Sequence, residues 1–163
     1  MLAGEINRLF AHMRAPRADM IGNRRGGHIS LEAEQVQAFF GGRAWQTIDL
    51  KAFSGYAGDK AACLSFMTPA ALSYYYPAFL IMVLNDPIDD SELLEPTARV
   101  AADHSGALDV YNREQKICVA EWLLRVSGRY EILYREYPNQ ARDPLNIYET
   151  YWRSLLVPSN CND

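Results

Sequence analysis

The run Pro69-Ala-Ala-Leu-Ser-Tyr-Tyr-Tyr-Pro-Ala-Phe-Leu-Ile-Met-Val-Leu84 constrains this chain more than any other segment. Thr68 before it is a good N-cap, and Pro69 suits the first helical position, where its missing N–H costs nothing. The run is apolar on every side. A helix in water with no polar face must be surrounded by other elements, so this one is expected at the centre of the molecule. It is too short for a bilayer: its longest apolar stretch, Tyr74–Leu84, holds eleven residues including Pro77, against the roughly 20 that a spanning helix needs. Pro77 cannot donate to the Ser73 carbonyl and its ring crowds that group, so a kink is expected there.

Helical spacing dominates the rest. Leu2, Ile6, Leu9, Phe10 and Met13 recur at steps of three and four, and Ala15-Pro16 closes that segment. Residues 17–29, with three glycines and Arg17, Arg24 and Arg25, are expected to form a mobile loop. Ser30 caps the next helix, whose apolar side is Val36, Phe39 and Phe40 and whose stop is Gly41-Gly42. Between Trp45 and Met67 the pattern predicts a short helix at 49–53 and leaves 63–67 open between an extended piece and a helical turn. Asn112-Arg-Glu-Gln115 matches a capping box, followed by Ile117, Ala120, Trp122, Leu123 and Leu124 as the inward side and Gly128 as the stop. A further helix is expected through Ile132, Leu133 and Tyr137. A last one begins at Asp143-Pro144, buries Leu145, Tyr148, Trp152 and Leu155, and ends at Pro158, with 158–163 as a frayed tail. No internal repeat and no set of alternating strands is present. The expected fold is all-α: a single domain over 1–163, with about six or seven helices around a central, buried, proline-kinked helix.

The order Trp45, then Phe66-x-Thr68-Pro69-x-Ala71-x-x-Tyr74-Tyr75-x-Pro77-Ala78-Phe79-Leu80, then Glu114-Gln115 at a helix start, resembles a group of small bacterial helical proteins of unknown function. Their shared mark is a helix of the form Thr-Pro-x-Ala-x-x-Tyr-Tyr-x-Pro-Ala-aromatic-Leu. The likeness covers roughly residues 31–127. Tyr76 and Met82 stand where aliphatic residues are expected, and the stretch from 129 onward falls outside the likeness. The resemblance implies an intracellular bacterial helical protein. It carries no catalytic residues over.

Chemistry is sparse. His12, His28 and His104 lie apart from one another and from Cys63, Cys118 and Cys161. Zinc ligands usually come in close pairs, so no metal site and no cofactor is expected. Three distant cysteines make no disulfide framework. Ser54-Gly55 lacks a nucleophile elbow, and the Gly22–His28 stretch lacks the Gly-Lys-Ser/Thr of a phosphate loop. No catalytic residue is assigned. Ten tyrosines are many for 163 residues; Tyr74–Tyr76 read as core with internal polar links rather than as a ligand pocket.

Charge gives the one pointer to a partner. The chain carries a net charge of −4, yet residues 86–109 hold seven acids against the single base Arg99. Such a strip disfavours nucleic acid and anionic membrane and suits a basic protein. The expected contact residues are Asp86, Asp89, Asp90, Glu92 and Glu95 as charge, with Leu93 (and Leu94) as apolar anchors. The reading is a non-catalytic protein-binding module, of the kind of a bacterial immunity protein that neutralises a basic toxin. An enzyme assembled from scattered Tyr, His and Glu residues and a structural subunit of a larger assembly are the alternatives. The oligomeric state stays open. Glu5 stands where a signal peptide would begin its apolar stretch, so a cytoplasmic location is expected.

Overall fold

A computed structural model describes residues 1–103 and 106–156. The expectations for His104, Pro158, Cys161 and the tail 158–163 lie outside these residues. The protein is all-α. Its main helices are α1 (Leu2–Phe10), α2 (Leu31–Phe40), α3 (Leu50–Phe53), α4 (Pro69–Leu84), α5 (Leu94–Val100), α6 (Arg113–Leu133), α7 (Pro144–Ile147) and α8 (Arg153–Leu156). Single 3-10 turns occupy Ala18–Met20, Trp45–Thr47, Cys63–Phe66 and Ala107–Val110. Of the stretch 63–67 left open by the sequence, Cys63–Phe66 is thus a helical turn, while Met67 is extended and bridges to Gly22.

The starts of the helices are set by local chemistry. Ser30 Oγ accepts from the Ala33 N–H at 3.2 Å and Thr68 Oγ1 from Ala71 at 3.2 Å. Asn112 and Gln115 make the reciprocal capping box at 2.9 and 3.0 Å. Asp49 and Asp143 accept from Ala52 and Leu145. Each satisfies one of the N–H groups that a helix leaves unpaired at its first turn.

Helix α4 is the axis of the core. From Ala71 to Leu80 every residue is buried, and the helix runs unbroken through Pro77. Around it close Ile6 and Phe10 of α1, Phe40 of α2, Leu94 and Ala98 of α5, and Trp122 and Leu123 of α6, in one continuous cluster.

The ends of the helices are closed from a distance. A helix leaves its last four carbonyls without partners, and here long side chains from other elements supply the missing donors. Gln115 Nε2 donates to Leu9 O at 3.0 Å and Trp45 Nε1 to Phe10 O at 3.3 Å at the end of α1. The Tyr75 hydroxyl donates to Phe40 O at 2.6 Å at the end of α2. Tyr76 donates to Thr97 O at 2.9 Å, and Trp152 Nε1 to Ala101 O at 2.8 Å, at the end of α5. Arg129 donates to Val83 O near the end of α4. This is where the surplus of aromatic residues with a polar tip is used: the ring fills core volume while its O–H or N–H satisfies a buried carbonyl.

Three expectations need correction. Gly128 does not stop a helix. α6 continues to Leu133, because the turn beyond the glycine is anchored by Arg129 on Val83 and by Tyr130, buried and stacked on Tyr134 at 4.6 Å. In consequence Ile132, Leu133 and Tyr137 face solvent, and so does Leu124, while Cys118, Val119, Val126 and Tyr130 point inward. The last helix carries a π turn over Tyr148–Trp152; Tyr148 and Trp152 are buried as expected, but Ile147 is buried in place of Leu145, which is exposed. Finally, residues 17–29 carry more structure than a loop. Arg24–Arg25 pairs with His28–Ile29 across Gly26 and Gly27, both in the left-handed region that a two-residue hairpin turn requires. Ile21 is fully buried, and Thr68 N–H donates to its carbonyl at 2.8 Å. The hairpin is thereby tied to the start of α4.

Candidate functional site

The acidic segment between α4 and α5 is a compact connection built on its own carboxylates. Asp86 accepts from the N–H groups of Asp90 at 3.2 Å and Ser91 at 2.8 Å, and from the Ser91 hydroxyl. Asp89 accepts from Leu94 N–H at 2.9 Å, the first free donor of α5, and from the Tyr134 hydroxyl at 2.7 Å. Asp89 thus caps a helix from five residues upstream. Asp89 and Glu92 have φ of 54° and 56°, a region that residues with side chains seldom adopt. The two buried carboxylates are what hold the backbone there.

Burial raises the Asp86 carboxyl, but the hydrogen bonds from Ser91 and Asp90 and the nearby Arg129 charge outweigh it, and the group sits below the ordinary carboxylate range. The same segment acts on Tyr134: burial first, then its bond to the Asp89 carboxylate, pushes the phenol well up.

The expected contact residues therefore divide. Asp86 and Asp89 are buried and internally bonded, so they are not available as surface charge. Leu93 and Leu94 are fully buried in the core and cannot be anchors for a partner. Glu95 pairs with Arg142. Asp90 and Glu92 remain exposed. Between them and α4 the loop presents a residue the sequence reading passed over: Ile88, 70% exposed, at the tip.

A cleft of about 900 Å³ opens between α5, the turn Cys63–Phe66 and the stretch from Gln140 to Tyr151. A smaller hollow of about 610 Å³ adjoins it and reaches Asp59, Glu92 and Tyr134; Ser65, Arg99 and Arg142 line both. Arg99 donates to Ser65 Oγ at 3.1 Å. Tyr74, Tyr75 and Tyr76 line neither space and are core residues, with burial raising Tyr75 to about 12 and Tyr76 well above its usual range.

Two thiols fall among the described residues. Cys63 and Cys118 are buried, and burial pushes Cys63 far up and Cys118 to about 12. Both are neutral at pH 7 and are apolar packing groups rather than nucleophiles. Among the described residues no group of three or more His, Cys, Asp or Glu side chains is placed to hold a metal ion, and no helix is long and apolar enough to cross a membrane. No family model, no curated protein and no solved structure matches the chain, and the site is therefore defined by its own geometry.

Proposed function

We propose that the protein is a non-catalytic protein-binding module that acts as a bacterial immunity protein in the cytoplasm, with the connection between α4 and α5 as its contact surface and a basic toxin as its partner. One observation carries the reading: Ile88 stands 70% exposed at the tip of a connection that two buried carboxylates hold in shape. An apolar side chain presented on a fixed backbone loses little entropy when it enters a pocket, which is the advantage of a preorganised contact. Exposed Asp90 and Glu92 beside it supply the charge that speeds encounter with a basic surface. Ile88 takes over the anchoring role first expected of Leu93.

The test is affinity capture from the source organism with the full chain and with a double variant, Ile88→Lys with Asp90→Lys. Both sites are solvent-facing, so the variant keeps the fold. The wild-type chain should retain a basic protein that the variant does not, and association of the purified pair should slow as salt is raised. Equal retention by both baits, or no basic protein on either, overturns this reading.

A further inference from the structure

The smaller hollow holds a cation and an anion that do not meet. Arg99, half-buried on the last turn of α5, directs one guanidinium N–H to the neutral Ser65 hydroxyl and makes no ion pair among the described residues. Glu92, in the connection before α5, has an exposed carboxylate that likewise makes no ion pair among them. Both line the same 610 Å³ space. Their neighbours in the hollow are committed elsewhere. Arg142 is paired with Glu95, and Asp59 Oδ1 accepts from Ala61 and Ala62 at 2.9 and 3.3 Å. Ala62, Phe66 and Pro96 add apolar surface to its lining.

We infer that this hollow binds a small zwitterion, an amino acid or a short peptide, with its carboxylate on Arg99 and its ammonium group on Glu92. An arginine fork matches a carboxylate by two parallel N–H···O bonds, and Arg99 has donors left for that. A carboxylate facing a concave, partly apolar space attracts an ammonium group more strongly than it would in open water. A polyphosphate is a poor fit, because Asp59, Glu92 and Glu95 line the same hollow and repel added negative charge. The adjoining 900 Å³ cleft extends the site past Arg99 toward the side-chain amide of Gln140, a group suited to the peptide bond of a longer ligand, whereas Asn146 Nδ2 and the Thr150 hydroxyl already donate to Gln140 O and Asn146 O. This inference shares Glu92 with the protein-binding surface proposed above, but Ile88 and Asp90, the two residues that test that surface, line neither space.

The experiment is a titration of the ¹⁵N-labelled full chain followed by its amide resonances. The probes are alanine, dialanine, N-acetyl-dialanine, dialanine amide and inorganic phosphate, each to about 10 mM. Dialanine should shift the Ser65, Phe66 and Arg99 resonances saturably. The acetylated and amidated forms, each lacking one charge, should bind about tenfold more weakly or worse. An alanine response equal to that of dialanine identifies an amino-acid site; a response to dialanine alone identifies a peptide site. Arg99→Met and Glu92→Gln, both with spectra of a folded chain, should each weaken binding by about tenfold. The inference fails if neither zwitterion shifts these resonances, if phosphate binds as well as dialanine, or if both variants bind as the wild type does.

Discussion

The Tyr111 hydroxyl donates to the Ser73 carbonyl at 2.6 Å, and Ser73 is the residue whose carbonyl Pro77 leaves without its helical partner. A proline inside a helix removes the N–H that would have bonded four residues back. In α4 that deficit lies in the middle of the core, where an unmet carbonyl costs most. Tyr111 fills it from 38 residues away, with its ring packed edge-on against Phe10 at 5.0 Å.

This relationship makes a double-mutant cycle informative. Tyr111→Phe keeps the ring and removes only the donor, so it should cost about 1–3 kcal/mol in urea unfolding. In a Pro77→Ala background residue 77 regains an N–H for Ser73, and the same Tyr111→Phe change should cost less. The coupling should be roughly 0.5–3 kcal/mol. Additive losses would mean that the phenol does not stand in for the missing amide.

Burial of α4 on all sides sets a second expectation. Phe79 and Leu80 are fully buried, so Phe79→Ala and Leu80→Ala should each destabilise by about 2–5 kcal/mol. Leu124→Ala on α6, 38% exposed, should cost well under either. Chemical denaturation midpoints of the three variants, compared at constant slope, decide this.

The glycines should respond in opposite directions. A Cβ added at Gly128 meets nothing within 4 Å, and its helical backbone suits alanine, so Gly128→Ala should stabilise by about 0.5–1 kcal/mol. At Gly22 an added Cβ would lie 2.3 Å from the Ala33 carbonyl oxygen. Gly22→Ala should therefore destabilise by about 1–3 kcal/mol as backbone is forced apart. Thermal melts of the two variants beside wild type give the signs directly.

Acid should loosen the connection between α4 and α5. The Asp86 carboxyl lies below its ordinary value when folded, so its contribution to stability is complete above the unfolded value near about 4. It is lost as pH falls through the lower folded value. Asp86→Asn keeps the shape but loses an acceptor for Ser91. It should lower stability at pH 7 and flatten the fall in urea midpoint below about pH 4. Profiles of the wild type and of the Asp86→Asn variant that run parallel through that range would remove Asp86 from the account.

Much of the fold was legible because its signals are local. Ser30, Thr68, Asn112 and Asp143 cap the helices they precede, within three residues of the N–H groups they satisfy. The central place of α4 follows from composition alone, since a helix without a polar face has nowhere else to go. The Ser73 deficit is likewise written in the position of Pro77. Tertiary structure decided what answers it. The donors that close the helix ends come from residues 21 to 106 positions away, as Tyr76 to Thr97 and Gln115 to Leu9 show, and no spacing rule encodes that. Such contacts also overrode local preference. They carried α6 past Gly128. The acidic segment shows the same division. Its charge is plain in the sequence, but only folding assigned Asp86 and Asp89 to backbone N–H groups, drew Leu93 into the core, and left Ile88, Asp90 and Glu92 facing water. Composition fixes how much charge and apolar surface a chain carries. Which of it ends up inside depends on partners brought together from distant parts of the chain.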